Sequence, residues 1–358
     1  MMAHDIRTDT GALRLLRRSP LLTVPLTAVL VLASCGDSGS DADSGSGEST
    51  STSTSTSTTS TEAGLDTALF LDGALAEEPT TEDCTLSGGA ETTCYRITVS
   101  GYPVDHEVGP FCPATITDGA DSGGIWFDGE NLYDLTGQFI KDLATTYDDD
   151  GWKMYDDEGN VLVTETQAEF EAAARPDVDP SLQNHCVQGK VAWLENGEPI
   201  TSEVLIPTTP VAADEASSAQ AILGVTLDGV RIDASAPVDA ILGAYTIAAF
   251  DDCGGHFNPV EGYHLHGAVG CSEVGDVVDG DTAQFGYALD GYAVHSPFEE
   301  GEAPDDLDAC NGHTTDALGY HYHANPAAEN LVIACMVGQT VESEDAAGGG
   351  GPPGGDQG

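Results

Sequence analysis

Apolar and polar positions alternate in short runs along much of this chain, and such runs bounded by turn residues predict strands. Tyr95-Arg96-Ile97-Thr98-Val99 is one of them. Trp152 to Val163 reads as a hairpin turning through Asp157-Glu158-Gly159-Asn160. Asn196-Gly197 marks a second hairpin, between Val191-Ala192-Trp193 and Ile200 to Ile206. One short helix is expected from about Gln167 to Ala174, because Thr166 and Glu169 have capping-box spacing and Pro176 follows as a stop. The expected fold class is mainly β, or α+β, with Thr93 to Ile206 mostly strands and turns. Runs such as Asp148-Asp149-Asp150-Gly151 are turn chemistry, and none has the ligand spacing of an EF-hand loop.

The second half of the pattern repeats itself. Gly224 to Ile232 parallels Gly286 to Val294, each an apolar run, an Asp-Gly turn (Asp228-Gly229, Asp290-Gly291) and a second apolar run. Each predicts a hairpin. Further on, Asp251-Asp252-Cys253-Gly254-Gly255-His256 parallels Asp308-Ala309-Cys310-Asn311-Gly312-His313. Then Gly262-Tyr263-His264-Leu265-His266 parallels Gly319-Tyr320-His321-Tyr322-His323, and the spacing from cysteine to last histidine is the same in both. Two related units, about residues 221–271 and 283–338, packed about a pseudo-twofold, are expected within one β-rich domain spanning 66–344.

The ends of the chain read differently. Arg14, Arg17 and Arg18 precede an apolar run from Leu21 to Leu32, too short and wrongly flanked for a stable transmembrane helix. The run closes on Leu32-Ala33-Ser34-Cys35, which resembles the lipobox of prokaryotic lipoproteins. That resemblance makes 1–34 a signal peptide and Cys35 the lipidated residue, anchored to the lipid bilayer on the extracytoplasmic side of the cell membrane. An ordinary secretory signal is the alternative, and Arg17-Arg18 leaves the export machinery open. Residues 35–65 are rich in Ser, Thr, Gly and Asp, including a Ser-Thr alternation from Ser49 to Thr61. They predict a tether, and 345–358 a Gly/Pro-rich disordered tail.

Composition narrows the partners. The formal charge of −51 makes nucleic acid and anionic lipid surfaces poor partners. Besides Cys35 there are eight cysteines, an even set that in an exported domain reads as disulfides. Counting leaves the connectivity open; proximity suggests Cys84–Cys94, Cys112–Cys186, Cys253–Cys271 and Cys310–Cys335.

Six of the ten histidines lie in the two repeated motifs. His-x-His on a strand puts both imidazoles on one face, about 7 Å apart along the chain. Each copy thus offers three imidazoles on a stapled scaffold: His256, His264 and His266, then His313, His321 and His323. Three histidines with an open fourth position suit a first-row transition metal, and copper or zinc is favoured here. Paired cysteines are unavailable as thiolates, and Met336 is the one methionine within the repeats, which argues against a Cu(I) carrier or a blue-copper centre. His106 and His295 are secondary metal candidates, and Asp251 and Asp308 are candidates for orienting imidazoles, with turn capping as their other use. His185, beside Cys186, is read as structural. Two rival readings stay open: a polar network without metal, and a pH-sensing histidine cluster.

With these residues assembled, the chain resembles the YHYH domain family, whose name motif stands here as Tyr320-His321-Tyr322-His323. The supporting pieces are Asp105 to Gly109, Gly224 to Gly229, Cys253 to His266, Gly286 to Gly291, Cys310 to His323 and Ile333-Ala334-Cys335. The first copy departs from the motif at Leu265, and His295 stands where the family more often has Tyr. The resemblance implies the domain and its extent, about Thr93 to Gly338, and assigns no catalytic residue. Three functions then compete: a membrane-anchored metal-binding protein, a metal-dependent hydrolase or oxidoreductase with a carboxylate such as Asp308 as base, and a disulfide-stapled binding module with structural histidines. No Gly-x-Ser-x-Gly, phosphate-loop or zincin motif gives the enzyme reading a named mechanism.

Overall fold

The two Asp-Gly turns build the centre of the molecule. In a computed structural model, residues 64–174, 178–218, 220–273, 277–278 and 280–342 are described. The signal segment, Cys35, most of the tether and the C-terminal tail lie outside them. Residues 222–265 fold as strands β1 (Ile222–Thr226), β2 (Arg231–Asp233), β3 (Gly255–Asn258) and β4 (Gly262–Leu265). Residues 284–323 fold as β5 (Gln284–Ala288), β6 (Ala293–His295), β7 (Gly312–Thr315) and β8 (Gly319–His323).

These eight strands form one sheet in the order β3-β4-β2-β1-β5-β6-β8-β7. In each half a hairpin closes on the Asp-Gly turn, a second hairpin carries the histidines, and a parallel pairing joins them, β2 to β4 and β6 to β8. The halves meet at an antiparallel seam, with Gly224 opposite Ala288 and Gly286 opposite Thr226. Both seam glycines are required by the close approach. A Cβ on Gly224 would stand 2.2 Å from the Tyr287 carbonyl oxygen, and one on Gly286 would stand 2.6 Å from that of Val225.

The rest of the domain packs around this sheet. Thr80–Thr85, Glu91–Val99 and Ser202–Pro207 form a three-stranded antiparallel sheet. Ile97, Val99, Val204 and Ile206 on it meet Val225, Leu227 and Tyr287 of the large sheet. Helix α1 (Gly137–Thr146) is capped by Thr136 and buries Phe139, Ile140 and Leu143 against Trp126, Phe127, Trp152 and Phe250. Helix α2 (Gln167–Ala173) has the expected capping box, with Thr166 accepting from the Glu169 N–H and Glu169 reaching back. A third short helix, α3 (Val238–Gly243), precedes strand Thr246–Ala248, which runs parallel to His185–Val187.

All four cysteine pairs suggested by proximity are at disulfide distance. Two expectations are corrected. The Asn196-Gly197 turn joins no hairpin: Val191–Trp193 and Glu195–Gly197 are 3-10 turns, and Ser202–Pro207 pairs instead with Glu91–Val99. Trp193 is withdrawn from pairing by its packing against Phe170 and the Lys190 ammonium. Around Trp152 to Val163 the ladder shrinks to a bridge between Tyr155 and Val161, because Asp156 caps the turn by accepting from the Glu158 and Asn160 N–H groups.

Candidate metal centres

The Asp-x-Cys-x-Gly-His spacing is explained by a turn locked from three directions. Asp251 accepts the Cys253 and Gly255 N–H groups on one oxygen, and the Gly109 N–H and Tyr263 phenol on the other. The Cys253–Cys271 disulfide ties down the same turn. A Cβ at position 255 would stand 2.3 Å from the Tyr263 hydroxyl, so only glycine admits the phenol. Asp308, Cys310, Gly312 and Tyr320 repeat the arrangement. Asp251 and Asp308 therefore spend their oxygens on the turn and the tyrosine, and the imidazoles are oriented by other groups.

The locked turn places His256 directly across from His264 in the β3–β4 ladder, with His266 two positions on. Their three Nε2 atoms form a triangle with sides of 3.2, 3.0 and 3.2 Å. In two of the rings the other nitrogen points at backbone: His264 Nδ1 donates to the Gly262 carbonyl at 3.1 Å, and His266 Nδ1 to that of Ala234. A neutral imidazole that donates from Nδ1 keeps a lone pair on Nε2. Lone pairs therefore converge on one point, which is repulsive unless a cation stands there. Tetrahedral zinc with Zn–N of about 2.0–2.1 Å has donor-to-donor distances of roughly 3.3–3.4 Å, close to this triangle. Burial holds His256 and His264 well below the ordinary imidazole range, with the neighbouring rings adding to it, and pushes His266 down to about 4. Neutral rings are what a metal needs.

The second centre, on β7 and β8, has a fourth donor. His313 Nε2 lies 3.1 Å from His321 Nε2 and 3.2 Å from His323 Nε2. Asp281 reaches in, with Oδ2 at 2.9 Å from His321 Nε2 and Oδ1 at 3.1 Å from His323 Nε2. The far nitrogens are again anchored: His321 to the Gly319 carbonyl, His323 to Thr282 Oγ1, and His313 to Asp306. Phe298 covers His323, with ring centroids 4.1 Å apart. His295 packs its ring on His321 and donates Nδ1 to the Thr282 carbonyl, so it buttresses this centre without joining the converging donors. Asp281 sits between the repeats, where no spacing argument reaches it. Asp233 was also missed, although extending the repeat by one residue pairs it with His295.

The centres are separate. Strands β4 and β8 stand five positions apart in the sheet, about 24 Å at the usual inter-strand spacing. His106 belongs to neither: it donates Nδ1 to Asp105 at 2.5 Å and lies 3.4 Å from the buried Asp228. The reason is legible in the repeat. The matching Asp290 accepts the Tyr322 phenol at 2.6 Å, but Leu265 occupies the corresponding place in the first copy and has no donor. Asp105, His106 and Asp228 form a further cluster of ligand type that includes none of the motif histidines. His185 donates to the Gln183 carbonyl, consistent with a structural role.

Asp290 yields a pH prediction. Burial pushes its carboxyl up to about 6, against the hydrogen bonds from Tyr322 and Gly338. The folded state then holds the proton more tightly than the unfolded chain, whose value is near 4. Its contribution to stability is full below about pH 4 and is lost as pH rises to about 6. In chelator-treated protein, the unfolding free energy of wild type minus that of Asp290→Asn is expected to fall by roughly 3 kcal/mol between about pH 3 and pH 7. Urea unfolding across that range checks it, and a pH-independent difference would refute it.

A family model described as YHYH protein matches residues 203–306. That segment is similar to the YHYH family, and the match takes in the first histidine triad, Asp281 and His295 while ending before His313. No curated protein and no solved structure matches the chain significantly.

Proposed function

We propose that this chain is a membrane-anchored, extracytoplasmic protein that binds a transition metal, copper or zinc, at two separate centres. One observation carries the reading: backbone carbonyls fix Nδ1 as the donor at His264, His266 and His321, so Nε2 lone pairs converge within each triad. The donor sets, three imidazoles in one centre and three imidazoles with a carboxylate in the other, suit borderline divalent ions. Thiolate chemistry is closed, since all eight cysteines of the folded part are paired. The shared order of strand pairing supports reading the halves as copies of one unit. The lipobox-like segment and Cys35 support a bilayer anchor, and the large negative charge supports an external, soluble face.

Untagged protein extracted from the membrane fraction is expected to contain two equivalents of copper or zinc by elemental analysis. Chelation should remove both and lower the melting temperature, and re-addition should restore it. Protein with no stoichiometric metal and no melting shift with copper or zinc would sink the proposal.

A further inference from the structure

The two centres are built differently, and the difference concerns charge and access. A divalent ion held by three neutral imidazoles keeps its full charge, which is costly beside apolar surface unless an anion joins it. At the second centre Asp281 supplies that anion, and the Phe298 ring packs on His323. At the first centre Glu261 stands beside His264 and is held 3.5 Å from Arg231, and Asp233 is 3.9 Å from His264 Nε2. Both of its oxygens are already held by the Arg231 guanidinium, at 2.5 and 2.6 Å. No side chain of the inner triad brings a negative charge.

The first centre also opens onto a cavity of about 620 Å³, to which His256, His264 and His266 all contribute wall. That volume falls within the range of small-molecule sites. Away from the histidines, Asp233 and Glu261 the wall is mainly aliphatic, with Val178, Val187, Ala240, Ile241 and Ala248 among the lining residues. A polar, cation-seeking end and an apolar body are thus presented together.

We infer that the His256–His264–His266 centre is an exchange-open metal site that binds an exogenous carboxylate carrying an aliphatic chain, the head completing the metal's coordination and the chain lying in the cavity. The second centre is closed to such ligands. This rests on the metal-binding reading, and the test separates the two. Chelated protein is loaded with Co(II), whose visible absorption reports its ligands, and two bound equivalents are verified first. Octanoate and acetate are then titrated into wild type, His264→Ala, His321→Ala and Ala240→Trp. Ala240 is exposed on α3 and lines the cavity, so the tryptophan occupies that space while the three histidines are left unsubstituted.

Octanoate is expected to shift the spectrum of wild type and His321→Ala, binding on the order of tenfold more tightly than acetate, as burial of two or more methylenes gives. His264→Ala should lose the response and retain one Co(II). Ala240→Trp should keep two Co(II) and lose the preference for octanoate. Two Co(II) bound with no carboxylate response, with equal response to both acids, or with a response that survives in His264→Ala would overturn this inference and leave metal binding standing. Failure to bind Co(II) at all would overturn both.

Discussion

Replacing His321 by alanine is expected to remove one of two bound metals and to halve the stability that metal confers. An ion held at a thousand times its dissociation constant stabilises the folded state by about 4.1 kcal/mol. Two independent centres then give roughly 8 kcal/mol between metal-saturated and chelated protein. His321 is fully buried, so the alanine also removes packing; comparing each variant with and without metal cancels that loss. The metal increment should be about 4 kcal/mol for His321→Ala, about 4 kcal/mol for His264→Ala, and near zero for the double variant. Additivity follows from the five-strand separation, since sites more than about 7–10 Å apart without shared partners act independently. Denaturant unfolding with disulfides intact measures all four increments. If either single variant abolished the whole increment, the centres would be one shared site and the geometry described above would be wrong.

The repeat made both triads legible because hairpins and His-x-His pairs are local features. Spacing alone puts His264 and His266 on one face, and a Gly-bounded turn brings His256 across from them. What spacing could not supply was the environment of each triad. Asp281 enters from the connection between the repeats, and the Phe250 ring lies 4.6 Å from His256 because α1 and its aromatic neighbours pack there. The Asp281 contacts span more than thirty residues, and neither they nor the Phe250 ring leaves a periodic trace. Helix α1 itself was missed for a related reason. Its Gly137 start and two closing threonines are weak helix formers, and the apolar face of Phe139, Ile140 and Leu143 decides the conformation through burial. The Asn196-Gly197 turn failed in the opposite sense, as good local turn chemistry whose flanking residues found better partners elsewhere.

Similar motifs have therefore been given different surroundings. In the second copy Tyr322 satisfies Asp290, and a carboxylate and an aromatic ring, Asp281 and Phe298, lie against His323. In the first copy Leu265 leaves Asp228 to His106, and the triad faces an open cavity. The departure of the first copy from the Tyr-His-Tyr-His form falls in the half whose triad lines that cavity.

Removing the Cys112–Cys186 disulfide is expected to have the largest effect of the four; Cys186 lies in the aromatic core and the adjacent Val187 lines the cavity. In the chain-entropy model the penalty of freeing a loop grows with its length. Cys112 and Cys186 are 74 residues apart, against 10 for Cys84–Cys94 and 25 for Cys310–Cys335. The paired change Cys112→Ala with Cys186→Ala should lower the unfolding free energy by about 4.5 kcal/mol, against about 3 kcal/mol for Cys84→Ala with Cys94→Ala. Cys186 also sits on the strand beside Thr246–Ala248, which runs directly into Phe250 and the Asp251 turn that positions His256. Loosening it should therefore weaken metal binding at the first centre and leave the second, stapled by Cys310–Cys335, near its wild-type affinity. Unfolding and metal titration of the two double variants test both parts. Equal losses from the two pairs would refute the loop-length argument, and equal weakening of both centres would refute the placement of this disulfide behind the first.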